Sequence, residues 1–280
     1  VEPPADARSD HAIFAGIAER LGLGDAFTEG RDERAWMEHM WERSAERARA
    51  DGFDLPSFDD FWAAGRYELP PAAEERAAWL ADFRDDPAAH PLDTPSGRIE
   101  IFSDTIASFG YDDCPGHPVW LEPYERLGGA LADRFPLHLV SHQPATRLHS
   151  QLDHSEFSRR HKIDDREVVR IHPDAAAERG IADGATVRLF NDRGACLAAA
   201  RLDPDLAPDV LALPTGAWYA PAEPGVVGSL ELGGNPNVLT RDVGTSSLAQ
   251  GPSAHTCLVE IEPFTGKAPS PNVYEPPPLR

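Results

Sequence analysis

The stretch ATVRLFNDRGACLAAARL at residues 185–202 decides the fold. It contains two strand-like runs, ATVRLF at 185–190 and ACLAAARL at 195–202, which are separated by the turn residues NDRG. Two such runs around a short turn predict an antiparallel hairpin, with Gly194 in the left-handed conformation of a tight turn. The pattern therefore predicts a fold that is built outward from a β-hairpin.

Strand-like runs continue on both sides of this hairpin. HPDAAAERG at 172–180 interrupts them with a helical turn, which Pro173 opens and Gly180 closes. Six strands within roughly 130 residues, with little helix between them, predict a closed or nearly closed barrel. The four additional runs are RFPLHLVS at 134–141, REVVRIH at 166–172, DVLALP at 209–214 and HTCLVEIE at 255–262.

The chain before the barrel is expected to be helical. Apolar residues recur at helical spacing after Asp10, over about 32–50 and again from Ser57, each time behind a polar residue that can cap a helix. The third helix is expected to bury three aromatic anchors, Phe58, Phe61 and Trp62.

Proline-rich segments divide the chain. Residues 85–97 contain three Pro and a Gly, and the alternating segment RIEIF at 98–102 follows them with a period of two. After the last strand the tail is rich in Pro, so it is expected to be extended along a partner surface or disordered. The predicted divisions are 1–93, 94–264 and 265–280.

Composition and motifs exclude several classes of protein. The net charge of −21 argues against nucleic-acid binding through a basic surface, and no run of 18 apolar residues predicts a membrane span. The three Cys residues form no CxxC pair, which argues against a zinc-ribbon or iron–sulfur site. GTSSLAQG at 244–251 does not satisfy the G-x-S-x-G motif, so a serine-triad hydrolase has no local support. His138 and His142 would lie about 13 Å apart along a strand, which is too far for two ligands of one metal.

A donor-rich loop follows the first strand. SHQPATRLHSQLDHS at 141–155 lies inside a window, 134–170, whose local charge is +2 in a chain of −21. Hydroxyl, imidazole, amide and guanidinium groups leaving a strand end can hold a phosphate or a heterocycle. A solvated surface loop with ordinary histidines is the alternative interpretation.

A second long loop comes before the last strand. GGNPNVLTRDVGTSSLAQGPSAH at 233–255 is too long for a plain hairpin and is rich in Gly, Asn and Pro. Backbone N–H groups in such turns can form an anion-binding nest, whereas a structural crossover within the barrel would need no ligand.

Five blocks of sequence, taken in order, resemble a known family. They are TPSGRIEIFSD at 94–104, HPVWLEP at 117–123, PLHLVSHQPATRLHSQLDH at 136–154, residues 166–194, and GNPNVLTRDVGTSSLAQGPSAHTCLVEIE at 234–262. Together they are similar to the C-terminal part of the dimethyl sulfoxide reductase family of molybdenum enzymes, of the trimethylamine-N-oxide, dimethyl sulfoxide and biotin sulfoxide reductase type.

The resemblance implies a mixed α and β fold. Residues 1–93 would be the helical end of an incomplete α/β domain, and 94–264 would hold a six-stranded double-psi β-barrel with its lead-in. This barrel would bind a bis(molybdopterin guanine dinucleotide) molybdenum cofactor. The resemblance places the molybdenum ligand and the catalytic residues upstream, so no catalytic or metal-binding residue is assigned here.

The resemblance also implies which residues contact the cofactor. Arg147 would pair with a pyrophosphate, and Asp242 would accept from a guanine. The implied cofactor-binding residues are Ser141, His142, Arg147, His149, Ser150, Gln151, Asn237, Asp242 and Gln250.

The function implied is reduction of an S-oxide or N-oxide by oxygen-atom transfer, together with upstream domains of the same enzyme and an electron donor protein. The chain alone is expected to be inactive. Two alternatives stay open: a non-catalytic barrel that binds another anionic ligand, and the same barrel in a formate dehydrogenase- or nitrate reductase-like enzyme. The resemblance favours the bacterial periplasm over the cytoplasm, although the chain itself leaves the compartment open.

Overall fold

The computed structural model describes residues 6–70 and 78–275. The chain divides into two compact units, 1–92 and 93–280, and each is described here by itself. The last five residues of the Pro-rich tail, 276–280, lie outside the described residues.

The first unit is helical, as the spacing of its apolar residues predicts. Its second predicted helix begins after Asp32, whose carboxylate accepts from the backbone N–H of Ala35. The first helix is capped by the Ser9 hydroxyl, not by Asp10 as expected, because Asp10 already lies within the helix. The helices are α1 Asp10–Arg20, α2 Gly24–Thr28, α3 Glu33–Ala50, α4 Phe58–Ala64 and α5 Ala81–Asp85.

The aromatic residues of α4 are less buried than expected. Ser57 caps this helix as predicted, and the ring of Phe61 stacks on Trp41 with 4.0 Å between the ring centroids. Trp62, however, is 53% exposed, so its assignment as a buried anchor is wrong. The centroid of its ring lies 5.5 Å from that of Phe58 and 5.9 Å from the Arg34 guanidinium.

The second unit contains a closed six-stranded barrel, which confirms the predicted mixed α and β fold class. The strand order is β1-β5-β2-β4-β3-β6, in which β1/β5 and β2/β4 are parallel pairs and the other four pairs are antiparallel. The strands are β1 Leu137–Val140, β2 Val168–Ile171, β3 Thr186–Phe190, β4 Ala195–Leu202, β5 Val210–Ala212 and β6 Cys257–Pro263. Each lies within or closely overlaps one of the six predicted runs.

Short helices connect the strands of this unit. The helical elements are α6 Asp104–Ser108, α7 Glu156–Arg159, α8 Pro173–Glu178 and a single 3₁₀ turn at Pro236–Val238. The helical turn predicted at 172–180 is α8, which His172 caps through its side chain and Pro173 begins.

The tail after the barrel packs against the barrel itself. Phe264 and Val273 contact a buried cluster that includes Leu197 on the outer face of β4 and Leu232 beside it. Because these apolar side chains leave water together, residues 265–275 are held on their own unit. The expectation of a disordered or partner-bound tail is therefore wrong for this part of the chain.

Two local expectations of the barrel region are also corrected. RIEIF forms bends that lead into α6 rather than a strand, and Ile99 and Ile101 are exposed. Gly194 does not have a positive φ. It is needed for space instead, because a Cβ at Gly194 would lie 2.8 Å from the carbonyl oxygen of Val238.

Candidate functional site

The loop 141–155 leaves β1 and is fastened to the segment that follows β5. The N–H of Thr215 donates to the carbonyl of His142 at 2.9 Å, which continues the pairing of β1 with β5. Gly216 then passes so close that a Cβ there would lie 1.9 Å from the carbonyl oxygen of His149. His149 and Leu152 have φ values of 49° and 61°, a conformation that costs about 1 kcal/mol or more for a residue with a side chain. The surrounding contacts hold the loop in this strained shape.

Arg147 is the central residue of this loop, and its side chain points into the protein. The guanidinium is 1% exposed and donates four hydrogen bonds, to the carbonyl oxygens of His149 and Thr215, to Ser158 Oγ and to Glu167 Oε1. Four of its five N–H donors are thus engaged within the protein, so Arg147 shapes the loop from beneath. Its direct pairing with a pyrophosphate stays a prediction.

A buried ion cluster surrounds Arg147. Asp153 Oδ1 lies 2.8 Å from the ammonium of Lys162 and 3.3 Å from Arg147 Nε, and Lys162 also pairs with Glu167. Burial opposes ionisation of Asp153. The Lys162 ammonium, the N–H of Trp218 and Arg147 outweigh burial and hold the pKa of the Asp153 carboxyl below its usual value. Two cations and two anions therefore neutralise one another under the loop.

His142 provides a buried polar atom with no partner in the described part of the protein. Its Nδ1 is enclosed but makes no hydrogen bond there. Burial lowers the pKa of His142, and the positive charge of Arg170 lowers it further, so the imidazole is neutral near pH 7. An enclosed nitrogen of this kind is suited to a hydrogen bond from a ligand, because leaving it unpaired costs free energy.

The outer side of the loop presents polar groups. Ser141 is half-buried, whereas His149, Ser150 and Gln151 are exposed. The indole N–H of Trp218 donates to the carbonyl of Ser150 at 2.8 Å and fixes the backbone between these side chains. The predicted residues of the first loop thus form a polar rim, with Arg147 as the buried exception.

The second loop begins in a turn that is folded around a buried carboxylate. Glu231 is fully buried and accepts four backbone N–H groups, from Ala220, Gly233, Gly234 and Asn235, at 2.7–3.2 Å. Burial raises the pKa of Glu231, although these four hydrogen bonds oppose the shift. The carboxylate occupies the nest of backbone donors that the sequence suggested for an anionic ligand.

This turn links Asn237 to the segment 215–218, which also contacts the first loop. Asn235 donates from its side chain to the carbonyl of Ala217, and its Oδ1 accepts from the N–H of Asn237, whose own side chain is exposed. The carbonyl of Gly233 accepts from the N–H of Glu167, a member of the ion cluster. Asn237 and the loop 141–155 therefore share one rim of the barrel through the segment 215–218.

Asp242 and Gln250 lie further along the second loop. Both are exposed, and Gln250 Nε2 donates to the carbonyl of Ser246 within the loop, which a bridge between Gly244 and Pro252 closes. Within residues 6–70 and 78–275, no hydrogen bond or ion pair joins either residue to the loop 141–155. Their contact with a cofactor stays a prediction, as it does for the residues of the rim.

Sequence reasoning missed the residues that support the site. Glu231, Asp153, Lys162 and Glu167 were not singled out, although Lys162 is one of only two Lys residues in an Arg-rich chain. A carboxylate two residues before a Gly-Gly turn, as in LELGGN at 230–235, was the available signal for Glu231.

Comparisons with known proteins identify the barrel. Residues 137–258 match the family described as "Molydopterin dinucleotide binding domain". The chain is 51% identical over 269 residues to the biotin sulfoxide reductase of Cereibacter sphaeroides, covering 96% of this chain and 35% of that protein. The barrel of this chain is a molydopterin dinucleotide-binding domain.

Other relatives agree with this assignment. The dimethyl sulfoxide/trimethylamine N-oxide reductase of Cereibacter sphaeroides is 46% identical, over 99% of this chain and 34% of the relative. Trimethylamine-N-oxide reductase 1 of Escherichia coli K12 is also 46% identical, over 95% of this chain and 32% of that protein. The chain thus spans about a third of the length of these relatives. The predicted family is confirmed, and an unrelated anion-binding module is not supported.

A solved structure shares the fold. Acetylene hydratase from Pelobacter acetylenicus superposes with a TM-score of 0.64 at 18% identity, over 94% of this chain and 34% of that one. At this identity the likeness concerns the fold alone.

The dinucleotide-binding domain fits the polar part of the cofactor that the family implies, bis(molybdopterin guanine dinucleotide) molybdenum. The unpartnered Nδ1 of His142 and the polar rim beside it suit heterocycle edges and phosphate oxygens. The described residues contain no group of three or more His, Cys, Asp or Glu side chains that could hold a metal ion. No helix among them has the length and hydropathy to cross a membrane.

Proposed function

We propose that this domain holds the guanine dinucleotide part of the molybdenum cofactor in an enzyme that reduces S-oxides or N-oxides. The observation that carries the proposal is the enclosed, unpartnered Nδ1 of His142 in a strained loop that shares a rim with Asn237. When bound, the cofactor supplies oxygen-atom transfer and two-electron chemistry.

The protein's part in this function is binding and orientation. His142 keeps a neutral imidazole whose Nδ1 can pair with a polar group of the ligand. Ser150 and Gln151 offer a hydroxyl and an amide from the exposed side of the loop. Beneath them the buried ion cluster of Arg147 and Asp153 keeps the loop in one shape, which lowers the entropic cost of binding.

The test compares His142 variants in the complete polypeptide that contains this chain. His142→Ala removes the imidazole, whereas His142→Asn keeps a polar atom near the position of Nδ1. The matched control is His161→Ala, because His161 is exposed and its Nδ1 contacts the Phe157 carbonyl one turn earlier. The measurements are molybdenum per polypeptide and guanine nucleotide released by acid.

A lost neutral hydrogen bond of about 0.5–1.5 kcal/mol predicts roughly two- to twelvefold weaker cofactor retention in His142→Ala. His142→Asn should recover part of this loss, and His161→Ala should load like the wild type. If the wild-type polypeptide holds molybdenum but releases no guanine nucleotide, the proposed function is wrong. If all three variants bind the same amount of cofactor, His142 is not part of the binding site.

We propose the substrates, the electron donor and the compartment from the relatives and the resemblance. The matched proteins are named for biotin sulfoxide, dimethyl sulfoxide and trimethylamine N-oxide, so these are the substrates to assay first. The electrons would come from a separate donor protein, and the bacterial periplasm is the compartment we favour. The chain alone, without upstream domains, should reduce none of these substrates. Cell fractionation with detection of the complete polypeptide tests the compartment.

A further inference from the structure

The segment 264–275, called the C-terminal strap below, is fastened along the second unit. Phe264 and Val273 pack at its two ends against the cluster of Leu197 and Leu232. Between them the carbonyl of Pro269 accepts a hydrogen bond from the guanidinium of Arg166, which is itself buried. The strap is therefore part of the folded unit, and its course ends beside the loop 141–155.

Tyr274 is the residue of the strap that reaches this loop. Its hydroxyl donates to Asp153 Oδ2 at 2.9 Å. Its ring lies between cations and an aromatic side chain: the Arg159 guanidinium is 4.9 Å from the ring centroid, the Lys162 ammonium is 5.5 Å away and the Trp218 ring is 6.1 Å away. These contacts enclose the hydroxyl on the charged side of the strap.

Asp153 connects this tyrosine to the rim. Oδ1 faces Lys162 and Arg147, whereas Oδ2 accepts from the N–H of Trp218 at 3.0 Å and from Tyr274. Trp218 in turn holds the carbonyl of Ser150. Two residues, Asp153 and Trp218, thus connect Tyr274 to the backbone of the rim at Ser150.

We propose that Tyr274 is a positioning residue that fixes the dinucleotide-binding loop 141–155 through Asp153, so that the C-terminal strap controls how firmly the domain retains its cofactor. The proposal rests on the function proposed above. It adds a distant segment of the chain, 121 residues from Asp153, to the parts that determine cofactor retention.

Three observations support this role over simple packing. Tyr274 makes a directional hydrogen bond to a fully buried carboxylate, rather than only apolar contacts. That carboxylate is shared by both cations of the ion cluster, so its position sets theirs. The loop above contains residues in left-handed conformations, His149 and Leu152, which need support from the surrounding structure to persist.

The test uses the complete polypeptide and removes one hydroxyl at a time. Tyr274→Phe deletes the hydrogen bond to Asp153 and keeps the ring. Tyr67→Phe is the matched control, because the Tyr67 hydroxyl also donates one hydrogen bond, to the carbonyl of Asp54 in the other unit. The measurements are the release rate of the guanine nucleotide cofactor, amide hydrogen exchange over 147–155 and the substrate kinetics per bound molybdenum.

We expect Tyr274→Phe to release the cofactor at least about tenfold faster, because tenfold corresponds to about 1.4 kcal/mol, just under the range for one hydrogen bond to a charged group. Exchange over 147–155 should quicken, while kcat and KM per bound molybdenum stay at the wild-type values. In an Asp153→Asn background, Tyr274→Phe should add little, because both changes act on the same contact.

The outcomes separate this inference from the proposed function. The role of the C-terminal strap is overturned, and the proposed function stands, if the wild-type polypeptide binds guanine nucleotide but Tyr274→Phe matches Tyr67→Phe in cofactor release and in hydrogen exchange. Wild-type polypeptide that holds no guanine nucleotide overturns the function and the inference together. Additive effects of Tyr274→Phe and Asp153→Asn would also overturn the inference, since they would show that Tyr274 does not act through Asp153.

Discussion

Replacing Glu231 by Gln tests whether a buried carboxylate folds the second loop. The side chain is fully buried, with Oε1 accepting from Ala220 and Gly233 and Oε2 accepting from Gly234 and Asn235. Gln has nearly the same shape but only one oxygen. Its amide NH₂ would face two backbone N–H donors, whichever way the side chain is turned.

The magnitude follows from those two donors. Leaving a buried N–H without an acceptor costs about 1–3 kcal/mol, so two of them cost about 2–6 kcal/mol of the free energy of unfolding. Glu231→Gln also removes a buried charge, whose burial raises the pKa of the carboxyl, and this relief opposes the loss. We therefore expect a net loss of about 2–4 kcal/mol. At a slope of about 2 kcal/mol per molar, the urea midpoint falls by about 1–2 M.

The pH dependence of this loss has a definite sign. The folded-state pKa of Glu231 is raised above the unfolded value, so the folded state binds more protons between those two pKa values. The contribution of Glu231 to the free energy of unfolding therefore falls as pH rises from the unfolded-state pKa through the folded-state pKa. Glu231→Gln has no such contribution, so the difference in unfolding free energy between wild type and variant should narrow over that pH interval.

Urea unfolding of the 280-residue chain at a series of pH values measures both effects. The control is Glu262→Gln, because Glu262 is half-exposed and paired with Arg188 at the surface, where such a change costs about 1 kcal/mol or less. If Glu231→Gln and Glu262→Gln unfold at the same midpoint, the carboxylate does not hold the turn. A gap that stays constant or widens with pH would contradict the raised pKa.

Two further changes test the contacts around the rim. The Cβ of Gly216→Ala would lie 1.9 Å from the carbonyl oxygen of His149, so this change should lower the free energy of unfolding by at least about 2 kcal/mol and reduce nucleotide loading. Gly228→Ala is the control, because Gly228 has a similar positive φ but open space around it. It should cost about 1 kcal/mol and leave nucleotide loading unchanged. Arg193→Ala leaves the buried carboxylate of Glu125 without its cation. It should lower the free energy of unfolding, measured by urea titration, by about 1.5–3 kcal/mol. An unchanged urea midpoint would show that the Arg193–Glu125 pair contributes nothing to stability.

The strands of the barrel could be predicted because each is local in the sequence. A run such as ACLAAARL at 195–202 carries its own signal, and turn residues at both ends set its limits. RIEIF at 98–102 alternates as a half-buried strand would but forms bends, because a strand also needs a neighbour to pair with, and sequence spacing does not report one. Gly194 shows a related limit. A turn signal predicted its conformation, whereas its real constraint is the Val238 carbonyl, 44 residues later.

The rim residues were predicted mainly from the resemblance, and the supports beneath them were missed. The ion pair of Arg147 with Glu167 joins residues 20 apart, and the hydrogen bond of Tyr274 with Asp153 joins residues 121 apart. Such partners meet only when the barrel closes and the tail returns across it. No local pattern distinguishes a charged residue that will be buried from one that will face water.

The positive local charge of 134–170 had suggested an anion site, but a sum over the sequence counts charges that cancel one another in space. Within the loop 141–155 the only formally charged residues are Arg147 and Asp153, and both are buried in one neutral cluster. Its histidine with a shifted pKa, His142, is neutral near pH 7 as well. The acidic and basic side chains of the loop therefore cancel one another beneath it, and the cofactor contacts proposed above come from Ser, Gln and His side chains whose positions the loop sets. Contacts of that kind depend on geometry, and the support that the surrounding structure gives to one strained loop is consistent with this.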